Sequence, residues 1–229
     1  MAHGSASGRH ARERSPPAFA RAAPILAFVY IEHDAADLSV GAMYRLLTAT
    51  VVPRPMAWVS TVSADGVANL DPHSFFAVAC VDPPLVQFGS VGDKDTLRNV
   101  RETGEFVVNL APTPLFEQIN ATGTNFPPGM GEFDAVGIER APSVRVAPPR
   151  VAASPVALEC ALHSTLPLGD TTIVFGQVVH VAVDDAVMVE GHPDIGRLAP
   201  LSRLGRDEWA TVGDVREIAR IPWVDRAGE

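Results

Sequence analysis

Between Val51 and Val183 the chain keeps alternating short β-branched apolar runs with turns built on Pro, Gly and Asp, which leaves little room for helices longer than a few turns. Val51-Val52 and Met56 to Val62 form the first extended stretch. Ser63-Ala64-Asp65-Gly66 then supplies a tight turn and Val67-Ala68 resumes the run, as in a hairpin. Phe75 to Val81 and Leu85 to Phe88 read as two strands separated by Asp82-Pro83-Pro84, where two prolines forbid a continuous ladder. Glu105 to Leu110 is another strand. Val156 to Leu166 and Thr171 to Val183 are the longest, joined by a turn at Pro167-Leu168-Gly169-Asp170. Helical spacing is confined to three short places. Met43, Leu46 and Leu47 share a face after Val40, Leu97 and Val100 lie in a helix through Arg101 capped by Asp93 or Asp95, and Pro114 to Ala121 forms a third. Gly104 suits the C-terminal turn of the second helix. Residues 122–155 hold many of the Pro and Gly residues and read as a long surface excursion. Many strands, few helices and no βαβ alternation point to an all-β-dominated barrel or sandwich with short peripheral helices.

At 229 residues and 47% hydrophobic content, one core and one domain over residues 41–229 are expected. Residues 1–40, rich in Ala, Arg, Ser and Pro without a burying period, read as a loose N-terminal extension. A net charge of -9 argues against nucleic acid as a partner. Arginine carries nearly all the positive charge, and Lys94 is the one lysine among 18 basic side chains. Cys80 and Cys160 stand far apart, as expected for inert thiols in a reducing compartment. The longest N-terminal apolar run, Pro24 to Ile31, is far short of a membrane span, so no membrane partner and a cytoplasmic location are expected.

Three segments can carry chemistry. In G-D-K-D-T the start of a helix offers unpaired N–H groups and a positive dipole end, to which Lys94, Asp95 and Thr96 add an ammonium and a hydroxyl suited to phosphate. An ordinary capped surface helix explains the same residues. In V-V-P-R-P-M-A-W-V-S-T, two prolines hold Arg54 in a rigid segment, and Ser60 and Thr61 supply hydroxyls for phosphate or ring edges; a strand with a solvated Arg is the plainer account. In N-L-D-P-H-S-F-F, Asn69, Ser74 and Phe75 offer amide, backbone and aromatic groups to a heteroaromatic ring, although a turn leading into a core strand also fits. The seven histidines show no metal spacing, and there is no G-x-G-x-x-G, Walker A loop or G-x-S-x-G elbow.

In this order, these segments resemble the flavin reductase-like family of FMN-binding split barrels, which includes flavoredoxin-like proteins. The matching run starts at Tyr44 and takes in D-P-P-L-V-Q-F, the G-D-K-D-T-L-R-N helix, T-G-E-F-V-V-N-L, P-P-G-M-G-E-F-D and P-L-G-D-T-T-I-V-F-G. It ends near P-L-S-R-L-G, about three-quarters of the chain in all. The resemblance implies a Greek-key antiparallel split β-barrel, a homodimer, FMN near the subunit interface and, in many members, NADH or NADPH as electron donor. It implies that Ser60 and Thr61 bind the flavin or its phosphate, that Asn69, Ser74 and Phe75 border the isoalloxazine, and that Lys94 and Thr96 hold the phosphate. Arg54 and Ser90 are lesser contributors.

No catalytic side chain is expected, because the flavin itself is the electron sink. Two departures stand out. Thr171 replaces a histidine that many reductases carry near the nicotinamide site, and Trp209 stands where relatives often have tyrosine. The leading expectation is an NAD(P)H-dependent flavin reductase that supplies reduced flavin to a separate monooxygenase. The alternatives are a flavin-dependent oxygenase or oxidase acting on a small organic substrate, with residues 122–155 as a lid, and a non-catalytic FMN-binding electron carrier.

Overall fold

The computed structural model describes residues 28–127 and 129–220; the expectations for residues 1–27 lie outside them. Two compact units divide at Leu38 and Ser39. In the first, Asp34 accepts from the Ala36 amide and starts a single 3-10 turn, Ala35–Asp37. No helix among the described residues is long and apolar enough to cross a membrane.

The second unit is built on seven strands: β1 (Ala57–Val62), β2 (Ala68–His73), β3 (Phe76–Cys80), β4 (Leu85–Val91), β5 (Glu105–Leu110), β6 (Val156–Leu168) and β7 (Thr171–Val183). They form one antiparallel sheet in the order β2-β1-β5-β6-β7-β4-β3. The two edge strands, β2 and β3, are consecutive in the chain, with only Ser74 and Phe75 between them. The sheet therefore curls until its edges meet. Gly89 of β4 donates its amide to the Phe75 carbonyl at 2.7 Å, which carries the β3–β4 ladder into the link between the two edges. This is the Greek-key split barrel expected from the sequence.

The curl follows from β1, which is buried on both faces. Ala57 and Val59 join Phe88, Phe106, Val108, Cys160 and Val174 in one core cluster, and α2 (Asp95–Thr103) adds Leu97 and Val100. Trp58 faces the other way, into a second cluster with Leu70, Ile119, Phe133, Val151 and Leu201. The Phe88 and Phe106 rings meet edge to face at 5.4 Å, an arrangement worth about 0.5–1.5 kcal/mol beyond burial. Gly176 makes room for this packing: a Cβ there would lie 2.1 Å from Phe106 Cζ.

Two local expectations are corrected. The turn before α2 is capped by neither Asp93 nor Asp95. Lys94 occupies the N-cap without a side-chain bond to the helix, because the Asp95 carboxylate pairs with Arg98 one turn on. At the other end Gly104 closes the helix at φ 73°, as anticipated. Residues 122–155 are not a loose excursion. They contain α4 (Glu132–Val136) and a short pairing of Arg140–Ala141 with Arg150–Val151, and they bury Phe133 and Val151. The helix anticipated after Val40, α1, runs Val40–Thr50, with Leu46 and Leu47 exposed within this chain. The third helix anticipated, α3, runs Phe116–Thr122.

Candidate functional site

The start of α2 opens on a cleft of about 210 Å³ lined by Asn69, Asp71, Asp93 to Thr96, Thr122 to Phe126 and Glu132. Lys94 has extended backbone angles, so its side chain leaves the helix and reaches Asp71 Oδ2, with Nζ 2.9 Å away. That first turn presents backbone N–H groups that no side chain caps. Asn69 and Thr96 are hydrogen-bonded across 3.0 Å, linking β2 to the same turn.

The cleft carries four carboxyl groups, yet its field is less acidic than that number implies. Asp95 pairs with Arg98, Asp93 lies 3.9 Å from Arg101, and Asp71 pairs with Lys94. Glu132 accepts from the Leu70 amide at 2.8 Å, and burial pushes its carboxyl above the usual range. What remains is a nearly balanced pocket with an uncapped helix start and a partly exposed ammonium.

Behind Asp71 lies His73, two residues along the strand and on the same face. The ring is 4% exposed, packs 4.8 Å from Phe88, and sets Nδ1 3.3 Å from the Gly89 carbonyl. Its Nε2 lies 3.3 Å from Asp71 Oδ2 and lacks a hydrogen-bond partner. Burial lowers the His73 pKa; Asp71 opposes that shift and Lys94 adds to it.

The ten residues singled out in the sequence divide into three groups. Asn69, Lys94, Asp95 and Thr96 come together at the cleft. Arg54, Ser74 and Phe75 line a separate, mainly apolar cavity of about 430 Å³ with Leu47, Val51 and Ile173. There Arg54 is committed to backbone: its guanidinium donates to the carbonyls of Thr48, Val51 and Leu204, with Nε 3.4 Å from Ser74 Oγ. Ser60, Thr61 and Ser90 line neither space, because all three are fully buried. Ser60 donates to the Pro149 carbonyl, Thr61 accepts from Asn99 Nδ2 at 3.0 Å, and Ser90 lies 3.4 Å from the Gly92 carbonyl.

Sequence reasoning missed Asp71, His73, Glu132 and the Thr122–Phe126 wall. The alternation Asn69, Asp71, His73 was the available signal for the first two. Among the described residues no His, Cys, Asp and Glu side chains cluster to hold a metal.

A seven-stranded split barrel with a polar cleft at a helix start and an apolar cavity beside its seam defines a class of small-ligand proteins. The chain belongs to the family described as flavin reductase like domain, which it matches over residues 49–193. An uncharacterized protein of Deinococcus radiodurans is 39% identical over 203 residues, covering 83% of this chain and 89% of its own. Nitrilotriacetate monooxygenase component B from Bacillus cereus has a similar structure, with a TM-score of 0.81, 30% identity, and coverage of 84% of this chain and all of its own. The 2-nitrobenzoate 2-nitroreductase of Pseudomonas fluorescens gives 0.79 and 28%, covering 86% of this chain and all of its own. Family membership supports flavin-handling oxidoreductase chemistry.

Proposed function

We propose that the chain binds FMN and works as an NAD(P)H-dependent flavin reductase. The observation that carries the reading is the uncapped start of α2, where the sole lysine opens onto a cleft whose other charges are largely paired. The cofactor's phosphate fits this donor set: first-turn amides, the Thr96 hydroxyl and the Lys94 ammonium. Asp95 supports the site indirectly, by holding Arg98. Ser74 and Phe75 border the apolar cavity suited to a ring, and they stand five and six residues beyond Asn69, roughly 17–20 Å in an extended strand. Arg54 positions that wall by tying down the end of α1, and Ser60, Thr61 and Ser90 act from behind by fixing the strands. When bound, the flavin would supply the electron sink for hydride from NADH or NADPH.

Reduced flavin then passes to a separate oxygenase, a role supported by the Bacillus cereus relative being a monooxygenase component. A second copy of the chain covers the exposed apolar side chains of α1 and of the β6–β7 hairpin, among them Leu46, Leu47, Leu166 and Leu168. The Pseudomonas fluorescens relative, a nitroreductase, together with the 430 Å³ cavity, favours one other reading, reduction of a small organic substrate on retained flavin.

Lys94→Met is expected to weaken FMN binding by about 1.5–3 kcal/mol, through loss of a charge-assisted contact. Fluorescence titration checks this, and an unchanged dissociation constant refutes the phosphate assignment. Anaerobic mixing with NADH and with NADPH tests the reaction. Bound FMN that stays oxidised under an excess of both donors rules out the reductase.

A further inference from the structure

Asp71 and His73 belong to no part of the reading above, yet they stand directly behind the lysine that carries it. We propose that Lys94, Asp71 and His73 form a proton-linked unit in which seating a phosphate dianion at the start of α2 draws a proton from solvent onto the Asp71–His73 pair. The inference rests on the phosphate reading of the cleft and adds how that site is regulated.

Hydrogen positions follow from the partners. The Gly89 carbonyl only accepts, so the Nδ1 contact at 3.3 Å requires the proton on Nδ1. A neutral His73 then has a bare Nε2 facing Asp71 Oδ2 at 3.3 Å, two acceptors with nothing between them. The ring is 4% exposed, and Nε2 has no hydrogen-bond partner. Lys94 tempers that contact, because its ammonium lies 2.9 Å from the same Oδ2.

A dianion at the helix start changes that balance. It shares Lys94 with Asp71 and sets new negative charge beside a carboxylate whose side chain is 12% exposed. Two anions sharing one buried site raise each other's proton affinity. A proton on the pair turns that repulsion into attraction. One proton leaves the buffer, and one N–H bond on His73 or one O–H bond on Asp71 forms.

The remaining charged groups on the cleft are Asp93 from the turn before α2, Asp95 from its first turn and Glu132 from α4. Asp95 is paired with Arg98, Asp93 faces Arg101, and Glu132 is held by the Leu70 amide. From β4, His73 meets only the Phe88 ring and the Gly89 carbonyl. By reciprocity, the protein must grip the phosphate more tightly as pH falls toward the range in which the pair protonates.

Isothermal titration calorimetry tests this with FMN added to flavin-free protein at pH 7.5, in HEPES and in Tris, whose ionisation enthalpies differ. The FMN binding enthalpy should differ between the two buffers in the direction of net proton uptake. Riboflavin, which lacks the phosphate, should take up none. Both His73→Gln and Asp71→Asn should abolish the buffer dependence, and the second variant keeps the test decisive if the first does not fold. A wild-type enthalpy independent of buffer overturns the proposal, as does equal proton uptake with riboflavin or uptake that persists in both variants. If Lys94→Met leaves FMN affinity unchanged, the phosphate reading itself has failed.

Discussion

Replacing Trp58 by alanine is expected to remove about 3–5 kcal/mol of stability, the usual cost of deleting a buried tryptophan. The indole is completely buried and centres the cluster of Leu70, Ile119, Phe133, Val151 and Leu201, so its loss leaves a cavity bounded by several elements. Its Nε1 also donates to Thr122 Oγ1 at 2.9 Å, and Thr122 passes a hydrogen bond to the Ile119 carbonyl at 2.9 Å. Thr122 begins the wall of the cleft at the start of α2. Urea denaturation of wild type and variant measures the loss, and a change below about 1 kcal/mol contradicts this account of the second core. Trp58→Phe retains most of the packing and removes only the Thr122 contact, so it should cost clearly less.

Glu159→Ala should be of similar size, about 3–5 kcal/mol, because removing one member of a buried ion pair strands the other. Glu159 is fully buried on β6, where it accepts from Arg150 Nε at 2.8 Å and from the Val144 and Arg145 amides at 2.9 and 2.6 Å. Burial alone would raise its pKa. The two amides and the guanidinium outweigh burial and hold the carboxylate below its ordinary 4.5. The unfolded chain thus binds the proton more readily. The resulting stability is present above about pH 4.5 and is lost as pH falls through the folded-state value. Denaturation series at pH 7 and along an acid ramp check both parts. A Glu159→Ala variant as stable as wild type at pH 7 would sink the assignment of this carboxylate as the clamp on residues 144–150.

The strands were legible because their turn chemistry is local. Ser63 to Gly66 closes a hairpin, with the Gly66 amide on the Ser63 carbonyl at 2.9 Å and a positive φ of 83° that glycine accepts readily. The same is true of Gly104 and of the helix that starts after Lys94. The partners of Ser60 and Thr61 were not legible. Strand periodicity shows which side chains share a face, but β1 is buried on both faces, and the carbonyl that takes the Ser60 proton lies 89 residues away. Helical spacing located α1 correctly, but spacing carries no information on whether the surface covering its apolar side chains belongs to the same chain. Residues 122–155 were misjudged because Gly and Pro mark turns whether or not the segment between them is anchored. Here Phe133, Val151 and the Glu159 clamp provide the anchors.

Because Lys94 is the single lysine of the chain and its side chain is 42% exposed, amine-directed chemistry meets one ε-amino group, and that group stands at the rim of the cleft. Acylation there discharges the ammonium that Asp71 holds, so one covalent event both marks the rim of the cleft and breaks its Lys94–Asp71 pair. Shielding of this amine by a bound ligand is therefore a site-specific footprint that needs no engineered residue.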